Sequence, residues 1–182
     1  MLWLTGLSGA GKTTLADAVA AQLRDRSVHP MVLDGDRLRT GLNRDLGFTL
    51  QDRFENVRRI AEVAALTSDS GALAIVAVIS PLAAMRDAAR AIVGPAFREV
   101  YVSTPLARCE ARDPKGLYAK ARSGVLPEFT GVSAPYEPPV EADLTIDTGR
   151  ASLAMCVDTL MRFAVAQFGG AVDPQAAPLR HG

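Results

Sequence analysis

The chain has 182 residues, 48% of them hydrophobic, which is enough for one substantial core but not for two. Twenty basic residues balance twenty acidic ones, so the overall charge gives no reason to expect a nucleic-acid or membrane partner. The longest apolar run, residues 72–79, is far shorter than the roughly 20 residues that span a bilayer. Because the N-terminus also lacks a secretory signal pattern, we expect a cytoplasmic protein.

Short β-like runs alternate with helical patterns along most of the chain. Strands are predicted at residues 2–5, 31–33, 72–79, 99–102 and 144–146. Helices are predicted at residues 12–24, 36–42, 51–70, 85–93, 106–112 and 152–168. Continuous apolar strands between helices are typical of a parallel sheet covered on both faces. The expected fold is therefore a three-layer α/β sandwich with a five-stranded parallel sheet.

Two segments interrupt this alternation. Residues 113–139 carry Lys115, Lys120 and Arg122, lack strong periodicity and end in a Pro-rich stretch. A loop of that length inside a compact domain is usually functional or disordered, and its basic residues favour a functional lid. Residues 169–182 are rich in Gly, Ala and Pro and are predicted to form a flexible tail. The predicted domain is thus residues 1–168, with its lid at about 113–139.

The cysteines and histidines give no metal-binding pattern. Cys109 and Cys156 lie far apart, and neither has a second Cys or a His at metal-ligand spacing. His29 and His181 are equally isolated. We expect two reduced cysteines on helix faces and two surface histidines.

Residues 6–13, GLSGAGKT, match the Walker A (P-loop) pattern in full, between a predicted strand and a predicted helix. The glycines allow the backbone to turn its N–H groups toward phosphate oxygens, and the following helix adds its positive end. Lys12 is suited to the β- and γ-phosphates, and the Thr13 hydroxyl to Mg²⁺. The predicted ATP-binding residues are Gly6, Leu7, Ser8, Gly9, Ala10, Gly11, Lys12, Thr13 and Thr14.

Charged residues follow the second predicted strand, where ligands of open α/β sheets bind. Asp36 could accept a proton from an attacking hydroxyl or hold a magnesium-bound water, and Arg39 could clamp an acceptor anion. The alternative is an ordinary helix start, with Asp36 as its N-cap and solvated arginines. The residues alone leave both interpretations open.

The next helical stretch adds candidate acceptor contacts. Arg53 and Asn56 stand three residues apart, which places both on one helix face and allows them to hold a small polar ligand. Phe48 follows a glycine in a loop and is suited to stack on a base. The alternative makes Phe48 a core residue and Arg58–Arg59 a solvated face.

Seven segments carry a resemblance to a known family: GLSGAGKTT from Gly6, LDGD from Leu33, GLNRDLGF from Gly41, DRFENVRRIAEVA from Asp52, ISP from Ile79, EARDPKGLYAKAR from Glu110 and EFTGVSAPYEPP from Glu128. With these segments, which cover most of residues 2–148, the chain resembles the adenylylsulfate (APS) kinases. The DPKGLY and FTG segments are much more specific than the P-loop. The resemblance implies a P-loop NTPase fold and transfer of the γ-phosphate of MgATP to the 3′-hydroxyl of adenylylsulfate, giving 3′-phosphoadenylylsulfate and ADP.

The resemblance also implies roles for individual residues. Lys12 and Asp36 would be catalytic, as would Ser80, although Ser80 is expected to bind substrate first and a phosphoenzyme is not required. Arg112 would contact the ATP side, and Phe48 and Phe129 would sandwich the adenine of adenylylsulfate. The residues implied around adenylylsulfate are Asp36, Arg39, Phe48, Arg53, Asn56, Ile79, Ser80, Lys115, Gly116, Phe129 and Thr130. The family further implies Mg²⁺ as cofactor, a homodimer, and ATP sulfurylase as a functional partner.

Two departures from the family pattern concern the acceptor side. Arg37 stands where the family usually has asparagine, and residues 82–85, LAAM, replace a polar, aromatic and basic stretch. They are expected to change affinity for the acceptor more than the type of reaction. The rival hypotheses are a P-loop kinase of another small acceptor, such as a sugar acid, and a nucleotide-binding regulatory domain without turnover. The presence of Lys12, Thr13, Asp36 and Arg53 argues against the regulatory domain.

Overall fold

Five strands and seven α-helices make up the part of the chain that the computed structural model describes, residues 1–172, with only the backbone described for residues 170–172. The predicted tail from residue 173 onward, including His181, lies outside the described residues. In chain order the elements are β1 (Leu2–Thr5), α1 (Lys12–Asp25), β2 (Met31–Asp34), α2 (Gly35–Arg39), α3 (Leu50–Asp69), β3 (Ala74–Ala77), α4 (Ala83–Val93), β4 (Arg98–Val102), α5 (Leu106–Arg112), α6 (Leu117–Arg122), β5 (Leu144–Ile146) and α7 (Leu153–Val172).

All five strands run parallel, in the order β2-β3-β1-β4-β5. The central strand β1 pairs on both sides, so that Leu2 is opposite Ile75 of β3 and Arg98 of β4. Parallel strands place all their carboxyl ends at one edge of the sheet. The predicted five-stranded parallel sheet is confirmed, and the turns that carry the sequence motifs meet at that edge.

The two faces of the sheet bury two separate apolar clusters. Leu2 and Leu4 point into a cluster with α1 and α7, whereas Trp3 points to the opposite face, into a cluster with α3 and α4. This division follows from the alternation of side chains along a strand. Helices therefore cover both faces, as the three-layer prediction required. Among residues 1–172, none of the helices combines the length and apolar character needed to cross a bilayer.

The predicted lid contains a helix that the sequence pattern did not reveal. Residues 117–122 form α6, and the Asp113 carboxylate accepts hydrogen bonds from the backbone N–H groups of Tyr118 and Ala119 at 3.1 Å each. Six residues are too few for a helical periodicity to be recognised, and the capping side chain lies before the helix. The prediction of a loop throughout 113–139 is therefore wrong for this segment.

Other element boundaries also differ from the predictions. Strand β3 covers only Ala74–Ala77 of the predicted residues 72–79, and α2 ends at Arg39 instead of residue 42. Helix α7 continues to Val172, with a non-helical Phe168 (φ −133°, ψ 26°) at the predicted end. Apolar runs extend beyond strands because the flanking turns are also buried, and this blurs the ends of elements in a sequence.

A pair of leucines tests the assignment of the core. Leu160 of α7 is fully buried, whereas Leu66 of α3 is 70% exposed. Leu160→Ala is expected to lower the free energy of unfolding by about 2–5 kcal/mol because it removes buried methyl groups and leaves a cavity. Leu66→Ala should change it by no more than about 0.5 kcal/mol. Urea unfolding followed by circular dichroism measures both, and equal losses would contradict the described packing.

Candidate active site

A cleft of about 960 Å³ opens at the carboxyl edge of the sheet. It is bounded by the turn after β1, the start of α2, one face of α3, the turn after β3 and the lid. Most of the predicted site residues line it: Ser8, Gly9, Gly11, Lys12, Thr13, Thr14, Asp36, Arg39, Phe48, Arg53, Asn56, Ile79, Ser80, Arg112, Lys115, Phe129 and Thr130. The fold therefore brings segments that are up to about 120 residues apart into one site.

The turn between β1 and α1 forms the tight cradle that the P-loop pattern predicts. Gly6 (φ 149°) lies against the neighbouring strand, where a Cβ atom would stand 2.5 Å from the Val102 carbonyl oxygen. Gly9 (φ 73°) likewise lies close to α5, where a Cβ would stand 3.0 Å from the Cys109 carbonyl oxygen. Side chains at these positions would push the turn away from the sheet, so the cradle requires glycine.

Lys12 is the first residue of α1 and its ammonium group lies in the cradle. Its Nζ donates hydrogen bonds to the carbonyl oxygens of Gly6 and Leu7 at 2.8 Å each. The residue is 8% exposed, and this burial lowers the pKa of Lys12 to about 8, with the nearby carboxylates of Asp34 and Asp36 opposing the shift. A phosphate group in the cradle would stabilise the protonated amine and raise that pKa.

Asp34, at the end of β2, is a site residue that the sequence analysis did not assign. Its Oδ2 accepts a hydrogen bond from the Thr13 hydroxyl at 2.7 Å, and its Oδ1 accepts from the backbone N–H groups of Asp36 and Arg37 at 3.0 Å each. Asp34 is therefore the N-cap of α2, and the alternative that gave this role to Asp36 is wrong. A carboxylate at the carboxyl end of a parallel strand, at the edge of the sheet where the P-loop also lies, was the available signal.

Asp36 extends from the first turn of α2 into the cleft, with its side chain 72% exposed. Its Oδ2 forms an ion pair with Nζ of Lys115, which comes from the lid. Because both side chains are more than half exposed, water screens this pair and it contributes little to stability. A ligand entering the cleft can therefore displace it at small cost.

Two guanidinium groups hold the loop that carries Phe48. Arg39 donates to the carbonyl oxygens of Leu46 and Gly47 at 3.2 and 2.8 Å and lies 4.5 Å from the centre of the Phe48 ring. Arg53 donates through Nε to the Phe48 carbonyl oxygen at 2.9 Å. The Phe48 ring is itself 60% exposed, so the alternative that made it a core residue is wrong. An exposed, cation-flanked ring is suited to stack on a planar ligand.

Arg53 also fastens the later part of the lid, residues 128–130, to α3. Its Nη1 donates to the Thr130 hydroxyl at 3.0 Å and its Nη2 to the Glu128 carbonyl oxygen at 2.7 Å. Phe129, between these two residues, is 8% exposed and packs edge-on against Tyr118, with ring centres 5.0 Å apart. Phe48 and Phe129 thus line the same cleft in different settings, one exposed and one largely buried.

Two neighbouring arginines of α3, Arg58 and Arg59, form ion pairs outside the cleft. Arg59 pairs with Asp45 at 2.8 Å and with Glu55 at 2.8 Å, which ties the loop before α3 to the helix. Arg58 pairs with Glu55 at 2.7 Å and is 49% exposed. The alternative of a solvated face is therefore correct for Arg58, while Arg59 anchors the loop.

Two buried polar side chains that line the acceptor side, Asn56 and Ser80, are already hydrogen-bonded within the protein. Asn56 is 7% exposed, and its Oδ1 accepts from the side-chain amide of Asn43 at 3.0 Å. Ser80, 3% exposed, accepts a hydrogen bond from the indole of Trp3 at 3.1 Å and donates one to the Thr5 hydroxyl at 3.0 Å. Both hydrogen-bonding functions of the Ser80 hydroxyl are used inside the protein, which is the arrangement of a supporting group and not of a free nucleophile.

Arg112 braces the base of the cradle from the end of α5. Its Nη1 donates to the Gly9 carbonyl oxygen at 3.2 Å and to the Thr148 hydroxyl at 2.9 Å, and its Nη2 donates to the Thr148 carbonyl oxygen at 2.6 Å. Thr148 in turn donates to the Ala10 carbonyl oxygen at 2.7 Å. Thr148, which the sequence analysis missed, therefore connects the end of β5 to the P-loop.

Four predicted site residues do not line the cleft: Gly6, Leu7, Ala10 and Gly116. The first three contribute carbonyl oxygens that accept from Lys12 or Thr148, and Gly116 (φ 63°) starts α6 in the left-handed conformation. In residues 1–172 no three His, Cys, Asp or Glu side chains cluster as a metal site, and Cys109 and Cys156 are buried free thiols. His29 is exposed, as predicted.

A P-loop on a parallel sheet, a carboxylate facing it across a cleft and a basic lid define a P-loop kinase of a small-molecule acceptor. A sequence model of the family described as adenylylsulphate kinase matches residues 1–147. The chain is 56% identical over 167 residues to the adenylyl-sulfate kinase of Shewanella denitrificans, covering 91% of this chain and 82% of the relative. It is 54% identical to that of Paraburkholderia xenovorans, covering 91% and 92%.

The fold agrees with a solved structure of the same family. The Mycobacterium tuberculosis APS kinase in complex with AMPPNP and APS superposes with a TM-score of 0.84 at 45% identity, covering 92% of this chain and 96% of that one. The chain belongs to the adenylylsulfate kinase family.

The buried amine of Lys12 generates a prediction about proton uptake. Between pH 8 and 9 much of Lys12 is neutral in the free protein, whereas bound polyphosphate favours the protonated form, so MgATP binding should take up protons. Calorimetric titrations at pH 8.5 in buffers of different ionisation enthalpy measure this uptake. Lys12→Arg, with a permanently charged side chain, should abolish it, and Lys120→Arg on the exposed face of α6 should not. The absence of uptake by the unaltered protein would contradict the prediction.

Proposed function

We propose that this protein transfers the γ-phosphoryl group of MgATP to the 3′-hydroxyl of adenylylsulfate, giving 3′-phosphoadenylylsulfate and ADP. The main observation behind the proposal is that the P-loop, Asp36 and the acceptor segments all line the same cleft. Family membership supports it, as does the 45% identical structure that holds AMPPNP and APS together. Phosphoryl transfer needs chiefly positioning and charge neutralisation, which this cleft supplies.

On the nucleotide side, the P-loop backbone and Lys12 would hold the ATP phosphates. The ammonium group of Lys12 now binds two neutral carbonyl oxygens, and phosphate oxygens would attract it more strongly because they are charged. Thr14 and Arg112 also line this part of the cleft. Arg112 would act mainly by bracing the cradle, since its contacts are to Gly9 and Thr148.

The residues around Thr13 fit a magnesium ion. The Thr13 hydroxyl and the Asp34 carboxylate meet at 2.7 Å beside the cradle, and hydroxyl and carboxylate oxygens are the donors that Mg²⁺ prefers. Thr13 and Asp34, directly or through water, would hold the ion with the phosphates. When bound, Mg²⁺ neutralises phosphate charge and supports the transfer.

On the acceptor side, Asp36 would orient the 3′-hydroxyl and accept its proton. Its exposed carboxylate is held by the lid cation Lys115, and entry of the hydroxyl would replace this weak ion pair and leave Lys115 to interact with phosphate charge. Arg39 and Arg53, which now bind neutral carbonyl oxygens, would be attracted by the anionic part of adenylylsulfate. Phe48, with Phe129, would flank the adenine. Ile79 and Thr130, with the backbone of Ser80, would complete the pocket, and the lid segment that contains Gly116 would close over the nucleotides.

The same proposal includes a homodimer and a functional connection with ATP sulfurylase, both of which rest on resemblance to the family. Sedimentation velocity of the purified protein tests the homodimer. A sedimenting mass of one chain at assay concentration would reject it.

The first test of the reaction uses Asp36. Asp36→Asn removes the proton acceptor but keeps the shape of the side chain, so kcat with adenylylsulfate should fall by at least about 100-fold. A coupled ADP-release assay measures this, with a sugar acid offered as the competing acceptor. Asp69→Asn on the exposed end of α3 should leave kcat unchanged. Turnover of the sugar acid but not of adenylylsulfate would reject the proposal in favour of another small-molecule kinase.

The second test concerns the exposed ring of Phe48. Phe48→Ala should raise the KM for adenylylsulfate about tenfold, because stacking on a base contributes roughly 1–3 kcal/mol. The KM for ATP should not change. Leu50→Ala, which truncates a neighbouring side chain that is 57% exposed, serves as the control. An unchanged KM for adenylylsulfate in Phe48→Ala would reject the stacking role.

A further inference from the structure

The turn Ile79–Ser80–Pro81, after β3, lines the acceptor side of the cleft in an unusual conformation. Ser80 has φ 37°, in the left-handed region that residues other than glycine seldom adopt. Such a conformation persists when the surrounding structure holds it firmly. The groups that hold this turn therefore determine the shape of the acceptor pocket.

On one side, the turn is held by buried side chains of β1 and α4, and Glu99 of β4 pairs with the α4 side chain. The Thr5 hydroxyl donates to the Ile79 carbonyl oxygen at 2.7 Å, and Nη1 of Arg86 donates to the Ser80 carbonyl oxygen at 3.0 Å. Nε of Arg86 lies 2.6 Å from Oε1 of Glu99, with these side chains 4% and 9% exposed. This contact is an ion pair without an aligned hydrogen bond, since Oε1 accepts none in the described residues.

From the other side, the turn is held by the end of the lid. Helix α4 follows the turn directly, but its N-cap is Leu82 and its first turn contains no acidic residue, so its own sequence provides no capping side chain. The missing cap comes from Glu137, whose Oε2 accepts from the backbone N–H of Ala83 at 2.7 Å. The backbone N–H of Glu137 also donates to the Pro81 carbonyl oxygen at 2.8 Å.

We propose that Glu137 is a positioning residue for the acceptor nucleotide. By capping α4 across 54 residues of sequence and bonding Pro81, it joins the base of the lid to the acceptor turn. The negative carboxylate of Glu137 also interacts favourably with the positive N-terminal end of the α4 dipole, and this interaction helps to orient the helix. Tyr136, the preceding residue, reinforces the junction because its hydroxyl lies 3.0 Å from the Thr5 hydroxyl. The inference deepens the proposed function and rests on it.

The test compares three substitutions of Glu137 that separate reach from charge. Glu137→Gln keeps an oxygen at the same reach and should retain nearly normal kinetics. Glu137→Asp keeps the charge but is one methylene shorter, and Glu137→Ala removes the cap altogether. Both should raise the KM for adenylylsulfate about fivefold, as expected from the loss of one exposed capping hydrogen bond at a helix N-terminus. In all three variants the KM for ATP should stay within about twofold of normal.

Glu141→Ala, an exposed position four residues later, is the matched control and should change neither KM. If Glu137→Ala does not fold, as judged by circular dichroism, the comparison of Glu137→Gln with Glu137→Asp decides. Equal KM values for adenylylsulfate in these two variants, or normal kinetics in Glu137→Asp with a raised KM in Glu137→Gln, would overturn the positioning role. A rise in the KM for ATP equal to that for adenylylsulfate would also overturn it. Absence of turnover of adenylylsulfate by the unaltered protein would instead overturn the proposed function, and the inference with it.

Discussion

The close contact between the P-loop and the neighbouring strand places both halves of the active site. Strand β1 is enclosed between β3 and β4, and at its end Gly6 approaches the Val102 carbonyl oxygen so closely that no side chain fits between them. This contact brings the turn down onto the sheet edge, so that α1 starts with Lys12 inside the cradle. Because Lys12 is buried there, its pKa is lowered, and a bound anion would stabilise its protonated form.

The acceptor side depends on hydrogen bonds that different parts of the chain provide for one another. Asp34 holds the Thr13 hydroxyl and caps α2, which places Asp36 opposite the P-loop. Arg53 joins α3 to the lid, and Glu137 joins the lid to α4. Asp34 and Glu137 satisfy backbone N–H groups in the first turns of α2 and α4, and Arg53 satisfies a backbone carbonyl group of the lid. The same bonds that complete the secondary structure therefore also shape the pocket.

The lid is attached unequally along its length. In the later part of the lid, Arg53 makes charge-assisted hydrogen bonds to Glu128 and Thr130, and at its end Glu137 bonds the acceptor turn. Near its start, the side chain of Lys115 is held, among the described residues, only by an exposed ion pair with Asp36. An exposed pair is easily broken, whereas caps and guanidinium contacts are stronger. Substrate binding is thus expected to rearrange the Lys115 segment while the later part of the lid stays in place.

The family resemblance predicted residues that line the cleft, but not their contacts. Phe48 and Phe129 were expected as an equivalent pair, yet one is exposed beside two arginines and the other is packed against Tyr118. Ser80 was expected to be catalytic, and its hydroxyl is bonded to Trp3 and Thr5. Arg39 and Arg53 were expected to bind the acceptor, and in the structure they hold the Phe48 loop and the lid in place. Chemical type therefore indicated the site, while the surroundings determined what each group does within it.

By itself the sequence determined the parallel sheet, its helical layers and the P-loop, because apolar periodicity and glycine spacing are local properties that short segments express. The local caps, Asp34 on α2 and Asp113 on the unrecognised helix α6, became clear from the hydrogen bonds of the structure. Only the tertiary structure decided that Glu137 caps α4 from 54 residues away. Thr148 was unrecognised for the same reason as Glu137, since its bond to the Ala10 carbonyl oxygen joins distant segments. Hydrogen bonds between such segments depend on distances that the folded chain creates and that no residue pattern records.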